Sequence, residues 1–201
     1  MPEKIQGPIS VSLDLEGLGA VPELTAHIGI IATMWSGLED ELTMLFVMGI
    51  QADPAITASS IGEVFSVIVK LNMVKKALAL RFPGEAVAPF DPLYRRVKKA
   101  SRQRNRVVHG LWTVHEDHPD ALLRVDGIRD PRLQVEKWRS EDFARVELRL
   151  VQLLIDLKLF AQSLRPFLRR GEQEQQENRW RLTSPPKPTT DRQTSREEDP
   201  E

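Results

Sequence analysis

Arg104, Asn105 and His109 have the residue types and spacing that acid–base chemistry on a phosphate requires. They lie in the stretch RNRVVHGLW, residues 104–112. Asn105 and His109 are four positions apart, so on a helix their side chains meet. An amide that holds an imidazole fixes its tautomer and orientation, and a neutral imidazole is what a general base requires. An arginine beside the pair can neutralise a phosphate and stabilise the charge that develops as a phosphodiester breaks. The three together suit attack of an RNA 2′-hydroxyl on the adjacent phosphate, a reaction that needs no metal.

The element that must position them is a helix beginning near Pro89–Pro92 and closed by Gly110, a good residue after a helix end. From Pro92 to His115 there is no acidic residue, while Arg95, Arg96, Lys98, Lys99, Arg102, Arg104 and Arg106 all fall there. At about 100° per residue, Phe90, Leu93, Val97, Ala100, Ser101, Val108 and Leu111 form one apolar side. Lys98, Arg102, Arg95 and Arg106 form a solvated basic face, with His109 at its edge. Lys98, Arg102 and Arg106 are therefore the candidates for holding flanking RNA phosphates. Arg104 is the anomaly, because it falls near the middle of the apolar side, where a cation needs a partner. Glu39 and Glu41 flank the apolar stripe of the first helix, and one of them is expected to form a structural ion pair with Arg104.

The rest of the chain reads as a frame for that helix. A first helix is expected from Pro22 to about Gly49, with Ile28, Ile31, Trp35, Leu38, Leu42 and Leu45 on one stripe. Asp53-Pro54 is an N-cap followed by proline at the first helical position. It starts a second helix that is expected to run to about Phe82, with Ile61, Phe65, Ile68, Leu71 and Leu78 inward. After Gly110, two short apolar runs flank the turn-rich EDHPD and predict a β-hairpin. Ser140, Glu141 and Asp142 open a last helix, in which Phe143, Leu150, Leu157 and Leu164 lie seven apart. Val146, Leu153, Phe160 and Phe167 form a second such series, and the two together make an a/d stripe that needs a partner helix. Packing inside the bundle is favoured over an intermolecular coiled coil.

The expected fold is all-α, an antiparallel four-to-five-helix bundle with a small β-hairpin inserted before the last helix. Residues 1–20 form an N-terminal segment in which ISVSLDL (9–15) alternates like a short strand. Residues 21–170 form the bundle. Residues 171–201 are polar and proline-bearing, and read as a disordered tail.

Composition sets the outer limits. The formal net charge is −1, so attraction for a polyanion must come from local clustering. The absence of cysteine excludes disulfides, thiolate zinc sites and a cysteine nucleophile, and fits a reducing compartment. The adjacent His115, Glu116, Asp117 and His118 lie in a predicted turn and do not converge as metal ligands. No glycine-rich phosphate loop is visible. The run HIGIIATMW, residues 27–35, meets Glu39, Asp40 and Glu41 and is too short to span a bilayer. A cytoplasmic protein with no membrane association and no cofactor is expected.

Arg104-Asn105-x-x-x-His109 resembles the signature of the HEPN superfamily, an arginine followed after four to six residues by a histidine, often with Asn, Asp or His directly after the arginine. Arg102 satisfies the longer spacing. The position of the motif late in a helix of a helical bundle fits as well, and the resemblance covers about residues 22–168. It implies a homodimer in which two such helices face one cleft and cleave RNA without metal. Arg104 and His109 would be the catalytic pair and Asn105 their polar support. Members include toxins, defence and RNA-processing nucleases, and inactive binding modules, so an antitoxin or another protein is a further partner. Leu111 stands where toxins paired with nucleotidyltransferase antitoxins carry tyrosine, and the hairpin and tail exceed a minimal bundle. The subfamily therefore stays open.

Two other accounts of the same residues remain open. Arg106, His109 and Gly110 are what a helix C-terminus favours, cations near the negative end of the dipole followed by glycine. On that account the protein is an inactive binding or scaffold module acting through its long helices or its tail. The other account is RNA binding without cleavage. His27 reads as a core-edge histidine, and Trp35, Trp112 and Trp138 as packing residues.

Overall fold

The computed structural model describes residues 2–5, 18–19, 21–126 and 134–183, with side chains described to residue 168. Strand β1 (Glu3–Ile5) comes first, followed by α1 (Pro22–Ile50), α2 (Pro54–Gly62), α3 (Val67–Arg81), the short α4 (Gly84–Val87) and α5 (Phe90–Val108). Then come β2 (Leu111–Thr113), β3 (Leu122–Asp126), β4 (Gln134–Trp138) and α6 (Ser140–Thr183). The strand expected at 9–15 lies outside the described residues, and β1 precedes it. Met1–Leu164 form one compact unit, and the packing described below is within it. Arg165–Glu201 form the second unit, helical to Thr183 and carrying Pro166 inside the helix. Helix α6 thus continues through Gly171, into the segment whose composition reads as disordered.

Local signals explain most boundaries. Pro22 stands at the start of α1. The Asp53 carboxylate accepts from the backbone N–H of Ala55 at 2.9 Å and of Ile56 at 3.1 Å, and Pro54 begins α2 without needing a donor. The expected single helix from Asp53 to Phe82 is interrupted. Helix α2 stops at Gly62, and α3 restarts behind Ser66, whose side chain accepts from Val69 N–H. Phe65 therefore lies in the break and is 94 % exposed, whereas Ile61, Leu71 and Leu78 are fully buried as expected.

The break reverses a topological expectation. Gly49 lies against Ala77, and Glu39 pairs with Lys70, so α1 and α3 run in the same direction. His27 pairs with Glu147 and Glu41 with Lys158, so α6 runs that way too. Helix α5 is antiparallel to α3 and to α6. Lys75 meets Asp91 while Asn72 meets Tyr94, and Phe90 stacks near Phe160 while Arg96 meets Asp156. The expected bundle is antiparallel. Helix α2 supplies the return segment that allows α1 and α3 to be parallel. The α6 stripe packs within this unit, with Phe143, Val146, Leu150, Leu153, Leu157, Phe160 and Leu164 all at most 5 % exposed. Each such side chain contributes about 1.5–3 kcal/mol by leaving water.

The expected hairpin is β2–β3, and it belongs to a larger antiparallel sheet of order β1-β4-β3-β2. The fold is therefore mostly helical with a four-stranded sheet, a larger β component than a lone hairpin. Among the described residues, no helix is long and apolar enough to cross a membrane.

Candidate active site

Helix α5 carries the motif, and the sheet fixes the end of that helix. The last carbonyls of a helix lack intrahelical donors. Here Arg124 Nε donates to the Arg106 carbonyl at 2.9 Å, and Trp112 Nε1 donates to the Val107 carbonyl at 2.8 Å. Arg124 on β3 stands directly opposite Glu136 on β4, and their side chains pair at 3.0 Å. Glu136 also accepts from Arg106 at 2.5 Å and from Trp138 Nε1 at 3.3 Å. Gly110 must be glycine because a Cβ there would lie 2.5 Å from the Arg106 carbonyl oxygen. Its role is this close approach.

Beyond that anchor the three motif side chains come together. Arg104 Nη1 donates to Asn105 Oδ1 at 3.1 Å and lies 3.1 Å from His109 Nε2. A guanidinium only donates, so His109 Nε2 is the acceptor in this contact. The backbone N–H of His109 donates to the Asn105 carbonyl at 3.0 Å, closing the turn that carries the ring. Asn105 and His109 are exposed, and Arg104 is half-buried.

The expected ion pair between Arg104 and Glu39 or Glu41 is not formed. Glu39 pairs with Lys70 at 3.6 Å and Glu41 with Lys158 at 3.7 Å. Arg104 instead lays its guanidinium over the Trp35 ring, 6.0 Å from the centroid. Its Nε is buried without a hydrogen-bond partner. Among the described residues, no carboxylate meets Arg104. A half-buried cation over an aromatic face, with an orphan donor, is a charge whose compensation is incomplete.

That charge borders a cavity of about 570 Å3. Lys98, Arg102, Arg104 and Asn105 line it from α5, with Trp35 and Glu39 on α1, Lys70 on α3 and Phe65 in the break. Lys98 and Arg102 have no ion-pair or hydrogen-bond partner among the described residues. Arg106 is placed elsewhere, since its guanidinium is engaged with Glu136 and it does not line this cavity. Of the three expected phosphate-holding cations, two therefore accompany the motif.

Trp35 and Lys70 are the site residues that sequence reasoning missed. Trp35 reads as a packing residue and is indeed 3 % exposed, yet one face of it carries Arg104. Lys70 is nearly buried on α3 and holds Glu39 away from Arg104. Trp112 and Trp138 are packing residues as expected, meeting edge to face at 5.6 Å. His27 bonds Glu147 at 2.6 Å and Ser140 at 3.0 Å, and stacks on Phe143, as a core-edge histidine does.

Comparison of the chain with protein-family descriptions, curated proteins and solved structures returned no match.

Proposed function

We propose that this protein is a HEPN-like, metal-independent endoribonuclease that acts as a homodimer in a defence, toxin or RNA-processing role. The observation that carries the reading is the contact of Arg104 with His109 and Asn105, where Arg104 and Asn105 line a cavity that also bears Lys98 and Arg102 and His109 stands outside the lining. The Nε2 lone pair of His109 accepts from Arg104, and it is freed for the reaction when the guanidinium turns to the phosphate. In the reaction, His109 takes the proton of a 2′-hydroxyl, and that oxygen attacks the adjacent phosphorus. The 5′-oxygen of the next nucleotide leaves, taking back the proton held by His109, and a 2′,3′-cyclic phosphate forms. Arg104 neutralises the charge gathering on the non-bridging oxygens. Lys98 and Arg102 hold neighbouring phosphates. The homodimer would bring two such helices to one cleft. The test is incubation of RNA with purified protein in EDTA. Wild type cleaves and His109→Ala does not, whereas equal cleavage by the two removes the assignment.

One observation favours a second reading, an inactive binding or scaffold module. The Nε2 lone pair of His109 is directed at Arg104, so the pair also serves as a closed helix-end contact. On that reading Arg104→Ala lowers the melting temperature, His109→Ala changes little, and the folded protein cleaves no RNA.

A further inference from the structure

Helices α5 and α6 frame a second basic groove, which shares Arg102 with the motif cavity. A depression of about 370 Å3 is lined by Lys99, Arg102 and Gln103 of α5 and by Arg145 and Arg149 of α6. A further depression of about 250 Å3 shares Lys99, Gln103 and Arg149 and extends to Arg96 and Gln152. Arg102 also lines the motif cavity. The two depressions share three residues, and Arg102 is the one residue that the first of them has in common with the motif cavity.

The charges lining the two depressions fall into two groups. Arg96, Arg106 and Arg145 are neutralised locally, by Asp156, Glu136 and Asp142. Lys99, Arg102 and Arg149 have no hydrogen-bond or ion-pair partner among the described residues. Like charges on facing helices repel unless an anion lies between them. The positions from Arg96 to Arg106 span about 15 Å of helix axis, far more than one phosphate group occupies. Gln103 adds a neutral donor, while the Gln152 amide nitrogen donates to Asp156. These features match a strand of phosphates held by its backbone, since Trp138, the aromatic residue lining the depression, is buried.

We infer that the α5–α6 groove binds the phosphodiester backbone of single-stranded RNA, which passes over Arg102 into the motif cavity. The inference rests on reading that cavity as an RNA site. Lys99 and Arg149 are its two diagnostic residues, because neither lines the motif cavity.

The experiment uses the full chain with His109→Ala, so that RNA stays intact, and a fluorescein-labelled oligouridine of about twelve nucleotides. Binding is followed by anisotropy across a salt series. Adding Lys99→Gln and Arg149→Gln is expected to weaken binding about tenfold at moderate salt and to flatten the log Kd–log salt slope by roughly 1.4, or about 0.7 per lost phosphate contact. Arg149→Gln alone should give about half that change in slope, and serves if the double variant fails to fold by circular dichroism. Unchanged affinity and slope in the folded variants overturns the groove, as does failure of the parent to bind. Cleavage by wild type together with unchanged binding in the variants removes the groove and leaves the motif assignment standing. Lost binding in the variants without cleavage by wild type does the reverse.

Discussion

Arg104 Nη1 lies 3.1 Å from His109 Nε2, so the arginine in the apolar stripe is paired with the histidine five residues on and not with a carboxylate of α1. The same nitrogen donates to Asn105 Oδ1. One guanidinium therefore sets the position of both polar partners, while its ring-side face lies over Trp35. Lysine keeps the charge but has neither the planar fork nor the flat face. Arg104→Lys is expected to lower kcat for RNA cleavage by about 10²–10³-fold, the range seen when a preorganised donor to a developing oxyanion is lost. Single-turnover rates check this, and a rate within a few-fold of wild type would contradict it.

The Arg124–Glu136 pair ties the sheet to the end of the motif helix, with both side chains under 10 % exposed. Glu136→Ala leaves Arg124 buried with Asp126 as its one carboxylate partner among the described residues, and frees Arg106. Loss of about 3–5 kcal/mol in urea unfolding is expected, the range for breaking a buried pair from one side. Arg124→Met with Glu136→Leu should recover much of that stability, yet leave the Arg106 carbonyl without its donor and the motif less fixed.

Two glycines are needed for close approach. A Cβ on Gly110 would lie 2.5 Å from the Arg106 carbonyl oxygen, and one on Gly49 would lie 2.7 Å from the Ala77 carbonyl carbon. Both neighbours are backbone and cannot swing aside. Gly110→Ala and Gly49→Ala are each expected to cost about 1–3 kcal/mol by the strain of overpacking. Thermal melts check the effect. Gly110→Ala should in addition reduce cleavage in the protein that remains folded, because His109 is its neighbour.

Asp156 gives a pH-dependent signature. Its hydrogen bond from Arg96 holds the carboxyl below its ordinary value of 3.8, with Gln152 assisting. A lowered folded-state value means stability that is present above the unfolded value and lost as pH falls through the folded one. Asp156→Asn should therefore lower stability by roughly 0.2–1 kcal/mol at neutral pH, the usual worth of a partly exposed pair. The gap to wild type should close as the solution is acidified below the carboxylate range.

Much of the frame was legible because it follows from local chemistry. The Asp53-Pro54 cap, the seven-residue repeat of α6 and the bounds of α5 each depend on residues a few positions apart. The break between α2 and α3 was hidden because Ile61, Phe65 and Ile68 keep a helical spacing across it. Strand β4 was missed because Glu136 and Lys137 look like surface residues. Arg124, across the strand, is what makes burial of Glu136 tolerable. Helical spacing placed Asn105 beside His109, but among the described residues the two side chains do not bond each other, and each is held by Arg104 instead. The partner of Arg104 could not be read from spacing, because Lys70 and Lys158, distant in sequence, take Glu39 and Glu41.

The most direct test of the account concerns which atom attacks. An all-ribose oligonucleotide and the same oligonucleotide with one 2′-deoxy residue at the cleavage position are incubated with protein in EDTA. The account predicts cleavage of the first to a 2′,3′-cyclic phosphate end, no cleavage of the second at that position, and no cleavage of either by His109→Ala. Cleavage of the deoxy substrate at that position, or the same cyclic product from His109→Ala at the wild-type rate, would contradict it.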